Sequence, residues 1–178
     1  YISKTKYPTD YGSAAGNAAA RAIVALQTQH RHNIPIEELQ YILEPNGQEL
    51  LTHGTINIYG QLDNGLVVQK SVFKVESQLP IASFTPSYFN KAGLQYASQY
   101  TKRIDFTEHD AYGNLLGYQK PHDIEQSFYW GYKYQLPIMG VANANPSEIA
   151  YSSFEKEDES GWSFNGKKTY TKGKIGYF

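Results

Sequence analysis

The sequence predicts a mainly β fold, an antiparallel meander of stacked β-hairpins with one short helix near residues 13–30. Three observations predict it. Sixteen Tyr, eight Phe and two Trp make up 15% of the 178 residues, and ring side chains suit a pleated, half-buried surface. From Ile34 onward, strand-like runs alternate with turn signals such as "PNG" at 45–47 and "LDNG" at 62–65. Only one stretch combines helical spacing with a run of Ala.

"YISKTKYPTDYG" opens the chain as a strand, with Tyr1, Ser3 and Thr5 alternating against Ile2, Lys4 and Lys6 until Pro8 stops it. "SAAGNAAARAIVALQTQHRH" then reads as the helix. Ser13 is the expected N-cap, and Ala15, Ala18, Ala22, Ile23 and Leu26 form an apolar stripe. His30, Arg31 and His32 gather at its negative end. "IEELQYILE" alternates Leu39, Tyr41 and Leu43 against Gln40 and Glu44, and "QELLTHGTINIYG" returns after the first turn. "LVVQKSVFKVES" follows the second. Residues 79–99 carry Pro80 and Pro86 and read as a long connection. Strands are expected near 100–109, 115–120, 124–133 and 136–142, within a β segment running from 1 to 146. Residues 147–178 read as the start of a following β module or a docking extension. The ends look cut, so the whole is expected to be a fragment of a larger protein.

Net charge is −1, which gives no general pull toward nucleic acid or anionic membrane. Cys is absent, which excludes disulfides and thiolate metal sites. No apolar run reaches the length of a membrane span. His30 and His32, two apart, point to different helix faces, and no further ligand is identifiable. His109-Asp110 and His122-Asp123 have the residue types of acid–base pairs, but both lie among turn signals, where Asp bonds its own backbone. The acidic run "EKEDE" lacks the spacing of a calcium loop. No phosphate-binding, nucleophile-elbow or zinc-protease motif occurs. The expectation is therefore no catalytic residue, no metal and no cofactor. "YWGYKY" is the remaining functional candidate. Alternation puts Trp130, Tyr132 and Tyr134 on one face and Tyr129 on the other, either as ladder packing or as a sugar-stacking face.

"FTEHDAYGNLLGYQ" resembles the Rhs, or YD-repeat, unit of bacterial surface and secreted proteins. Asp110, Gly113, Asn114 and Leu115 match that unit, while His109 stands where Tyr is usual. "DIEQSFYWGYKYQLPIMGVANA" is similar to the ending of Rhs-like proteins of Bacteroidetes through Phe128, Trp130, Gly131, Tyr132, Pro137, Ile138, Asn143 and Ala144. Leu136, Met139 and Gly140 depart from it. "YPTDYG", "NIPIEELQYI" and "SSFEKEDESGWSFNGKK" resemble further parts of the same proteins, so the likeness is colinear over most of the chain.

The resemblance implies a large secreted or surface-displayed protein whose hairpins stack into a continuous sheet, exported by association with the phylum through the type IX route. The self-cleavage motif of toxin-enclosing relatives is missing. On this reading Asp110, Gly113 and Asn114 make the turn, and Leu115, Tyr118, Phe128, Trp130 and Tyr132 pack between neighbouring rungs. Expected partners are other parts of the same chain and envelope or secretion-system proteins. A carbohydrate-binding module and an enzyme are the alternatives.

Overall fold

The structure is a computed structural model that describes residues 1–13 and 16–151. Its elements are β1 (Ile2–Lys6), α1 (Ala18–Thr28), β2 (Glu37–Leu43), β3 (Glu49–Gln61), β4 (Val67–Val75), β5 (Tyr88–Asn90), β6 (Gly93–Gln95), β7 (Tyr100–His109), β8 (Leu115–Gln119), β9 (Gln126–Gly131) and β10 (Leu136–Ala142). Eight strands form one antiparallel sheet in the order β1-β2-β3-β4-β7-β8-β9-β10, while β5 and β6 make a separate ribbon. The described residues are mainly β with one α-helix. Among the described residues no helix is long and apolar enough to cross a membrane, which says nothing of a β-barrel. Two compact units are distinguished, Tyr1–Phe106 and the part from Thr107 onward.

In the first unit, α1 packs on β3 and β6 through Ala20, Ala22, Ile23 and Leu26, which are buried with Ile36, Leu39, Leu51, Ile56, Val67, Val75 and Leu94. The stripe is thus narrower than expected: Ala18 is exposed, and Ala15 lies outside the described residues. The cap also moves. Asn17 rather than Ser13 precedes the helix, and its Oδ1 accepts from Ala20 N at 2.9 Å. The same side chain bonds Leu94 N and Leu94 O, so one residue both caps α1 and fastens it to β6. Gly16 and Gly93 permit that approach. A Cβ on Gly16 would lie 2.4 Å from the Ala92 backbone, and one on Gly93 would lie 2.4 Å from Asn17 N.

Three of the hairpins close in the same way. The turns Glu44–Gln48, Leu62–Leu66 and Asp110–Asn114 each pair the first residue's N–H with the fifth residue's carbonyl. Each also pairs the fourth residue's N–H with the first residue's carbonyl. The fourth residue is always Gly, with φ of 84°, 84° and 88° at Gly47, Gly65 and Gly113. This three-residue loop, a type I turn ended by a left-handed residue, needs Gly where φ is positive. Asn46 and Asn64 tie the first two by accepting from Gln48 N and Leu66 N.

Strand alternation is less regular than the sequence suggests, because β-bulges shift the register at Gln40/Tyr41, Ile58/Tyr59 and Val72/Phe73. The first bulge places its extra residue, Thr52, on β3, so β2 keeps its alternation through Tyr41. Leu43, the last residue of β2, is exposed although spacing placed it with Leu39 and Tyr41.

Candidate functional site

Asp110 sits in the turn between β7 and β8. Its Oδ1 accepts from Tyr112 N and Asn114 N, both at 2.9 Å, and its Oδ2 accepts from Asn114 Nδ2 at 2.9 Å. The Asn114 amide also donates to Tyr134 O at 2.7 Å, so this turn is tied to the connection between β9 and β10. A carboxylate engaged three times by its own turn has its acceptor capacity directed at structure rather than at a substrate. His122-Asp123 is similar: His122 has φ of 62°, and Asp123 Oδ1 accepts from Ile124 N. The two His-Asp pairs therefore lie apart, His109-Asp110 at the end of β7 and His122-Asp123 between β8 and β9. His30 and His32 meet edge to face, with centroids 5.7 Å apart, on exposed chain beyond α1. Among the described residues no cluster of three or more His, Asp or Glu is arranged to hold a metal. The acidic run and the segment 152–178 lie outside the described residues.

The aromatic candidates divide into two groups. Tyr118 and Phe128 stack across β8 and β9, with centroids 6.0 Å apart and planes at 19°. Trp130 is half-buried and donates its indole N–H to Leu115 O at 2.8 Å. Both contacts join neighbouring strands, and the indole proton is satisfied within the sheet. Tyr132 and Tyr134 behave differently, and here alternation misleads. β9 stops at Gly131, and Tyr132, Lys133 and Tyr134 take φ of 49°, 57° and 64°. They form a left-handed turn closed by Gln135 N on Gly131 O. They are therefore not strand residues sharing a face with Trp130. Three consecutive non-glycine residues there cost roughly 1–2 kcal/mol each. Tyr132 is 73% exposed and Tyr134 50%, and Tyr134 stacks on Tyr112, itself 67% exposed, with centroids 5.0 Å apart.

A fourth cluster has no counterpart in the sequence reading. Glu37, on the inward phase of β2, is fully buried. Its Oε2 accepts from Ser87 N at 2.8 Å and Ser87 Oγ at 2.7 Å, and its Oε1 accepts from Tyr100 Oη at 2.7 Å. Ser87 Oγ has only one proton, so Tyr11, 2.6 Å away, is the donor in that contact. Lys6 donates to Ser87 O and lies over the Tyr11 ring. Glu37 and Ser87 are both fully buried, so the cluster's carboxylate and serine are enclosed within the first unit. The signal that could have pointed to it is Glu37 falling in step with Leu39 and Tyr41. Burial, then the Glu37 carboxylate, pushes the Tyr100 phenol well above its ordinary range, and burial does the same to Tyr11. Burial raises Tyr59 to about 12.

No protein-family model, curated protein or solved structure matches this chain.

Two outcomes follow from this geometry. Asp110→Ala should lower the stability read from the urea midpoint by about 1–3 kcal/mol, since three hydrogen bonds to a carboxylate are lost. Asp110→Asn, which keeps one acceptor oxygen, should recover part of that loss. Equal stability in all three chains would contradict the structural role. In the alkaline range, tyrosines of the unfolded chain release protons near pH 10, whereas Tyr11, Tyr59 and Tyr100 hold theirs when folded. The folded pKa values are the higher ones, so their contribution is fully present below about pH 10 and is lost as pH rises beyond it. Near-ultraviolet titration should show exposed tyrosines ionising first and the buried ones only around pH 12 or on unfolding. Ionisation of every tyrosine near pH 10 in a folded chain would contradict this.

Proposed function

We propose that the chain is a structural β-repeat segment of a large secreted or cell-surface protein of Rhs-like character, non-catalytic in itself and serving as scaffold, adhesin or cargo carrier. The observation that supports this reading is the repeated five-residue turn. Glu44–Gln48, Leu62–Leu66 and Asp110–Asn114 close their hairpins with the same hydrogen bonds and a Gly of the same φ. Only Asp110–Asn114 carries the Asp-x-x-Gly-Asn form of the YD unit, and the other two reach the same geometry from "EPNGQ" and "LDNGL". Repetition of one backbone device with changing side chains is what a sheet-extending unit requires, because the next hairpin needs the turn and not a particular surface.

The fate of the polar groups supports the non-catalytic part of the reading. Asp110 and Asp123 are bound to turn backbone, and Glu37 is enclosed with Ser87 and Tyr100. Trp130, Leu115, Tyr118 and Phe128 act as contacts between strands. The corresponding location is the extracellular or outer-membrane surface, with partners drawn from the same long chain and from envelope or secretion-system proteins.

The test is the mass of the native polypeptide containing this stretch, after mild extraction of the cell envelope and medium, together with its sensitivity to protease added to intact cells. The expected result is a parent of well over about a thousand residues, roughly several domains, cut by external protease. A free chain close to 20.1 kDa, protected inside the cell, would overturn the proposal.

A further inference from the structure

The turns at 110–114 and 131–136 lie side by side in the second unit, joined by the Asn114 amide on Tyr134 O and by the Tyr112–Tyr134 stack. Three other hairpins of this chain close on a single left-handed Gly. The connection between β9 and β10 instead uses Tyr-Lys-Tyr, all three left-handed, and leaves both rings exposed. The backbone does not call for those side chains, since Gly or Asn adopts the same angles with less strain. Strain of this kind persists where surrounding structure holds it, and it clusters at active sites, ligand clamps and switch regions. Here the neighbouring turn holds it, because Asn114 fixes the third residue's carbonyl and Tyr112 fixes its ring.

We infer that the stacked pair Tyr112 and Tyr134, with exposed Tyr132 on the same turn as Tyr134, binds neutral pyranose rings of a polysaccharide. Three features select that ligand. Each ring of the stacked pair covers one face of the other and, at 67% and 50% exposure, leaves its outer face as the flat apolar complement of the C–H face of a sugar ring. The hydroxyls of Tyr112, Tyr132 and Tyr134 engage no group among the described residues, so polar atoms rim those faces and match sugar hydroxyls. The formal charges within the two turns are Asp110, whose carboxylate is already engaged three times, and Lys133. That favours an uncharged ligand over a phosphorylated or strongly acidic one. A proline-rich peptide would want a groove between ridges of rings, whereas these rings stand on adjoining turn tips. Trp130 takes no part, since its indole N–H is consumed by Leu115 O. The proposal is independent of the role of the whole polypeptide.

The experiment is native affinity electrophoresis of the full 178-residue chain through gels containing dextran, mannan, xylan or mixed-linkage β-glucan. The expected result is retardation by at least one of them. Tyr112→Ala should weaken it about fivefold to tenfold, in keeping with the loss of one stacking ring. Tyr134→Phe, which keeps the ring and its stack, should weaken it less. Tyr88→Ala, which removes an exposed tyrosine of the first unit, should leave it unchanged. No retardation in any of the four gels would overturn the inference, as would retardation that Tyr112→Ala leaves intact. Binding to a proline-rich peptide or to phospholipid vesicles in place of all four polysaccharides would overturn it too.

Discussion

The buried carboxylate of Glu37 holds together parts of the chain that nothing local would bring together. It lies on β2, its partner Ser87 sits 50 residues away in the irregular segment before β5, and Tyr100 begins β7, 63 residues away. A carboxylate withdrawn from water is strongly unfavourable unless its oxygens are satisfied, and here three donors meet them. The arrangement therefore has a direction. Without Ser87 and Tyr100 the strand carrying Glu37 cannot bury its inner face, and with them the connection between β4 and β7 is seated on the sheet. Lys6 adds a nearby positive charge on the Ser87 carbonyl, and Asn17 repeats the principle at α1, serving a helix end and the β5–β6 ribbon with one side chain.

Much of the architecture could be read from the sequence, and the failures have physical causes. Strand-turn-strand texture located β2, β3, β4, β7 and β8 because Gly-containing turns join β2 to β3, β3 to β4 and β7 to β8. The helix was placed, but its start was not. Ser13 and Asn17 are both good caps, and the choice fell to Asn17 because Leu94 returns from elsewhere in the chain to use its amide. Glu37 was missed for a related reason. Its phase with Leu39 and Tyr41 points inward, but its charge argues for solvent and the donors that satisfy it are remote in sequence. The tyrosines of "YWGYKY" misled in the opposite direction. Spacing by two is the mark of a strand, and no Gly or Asn announces a turn at 132–134, so the left-handed triplet had no local signal.

The polar residues that resemble chemistry are consistently spent on geometry. Asp110 shapes a turn, Asp123 holds another, and Glu37 joins two strands through a serine and a tyrosine. Most of the aromatic residues named from the sequence, Tyr118, Phe128 and Trp130, bridge neighbouring strands. What remains outward among them are Tyr132 and Tyr134, with Tyr112 on the adjoining turn. The proposed scaffold, with the proposed recognition surface at its turn tips, accounts for both sets of observations, the ladder supplying rigidity and the turns variety.

Amide hydrogen exchange at Ser87, in the native chain and in Glu37→Gln, tests the anchoring role most directly. Gln offers one acceptor oxygen and an NH2 group, so at least one of the donors now facing Glu37 would face another donor. The account predicts that the Ser87 amide exchanges as slowly as that of Asn57 on β3, which is bonded to Ile36 O, and accelerates about tenfold or more in the variant. A Ser87 amide that exchanges as fast as that of exposed Lys91, or at one rate in both chains, would contradict it.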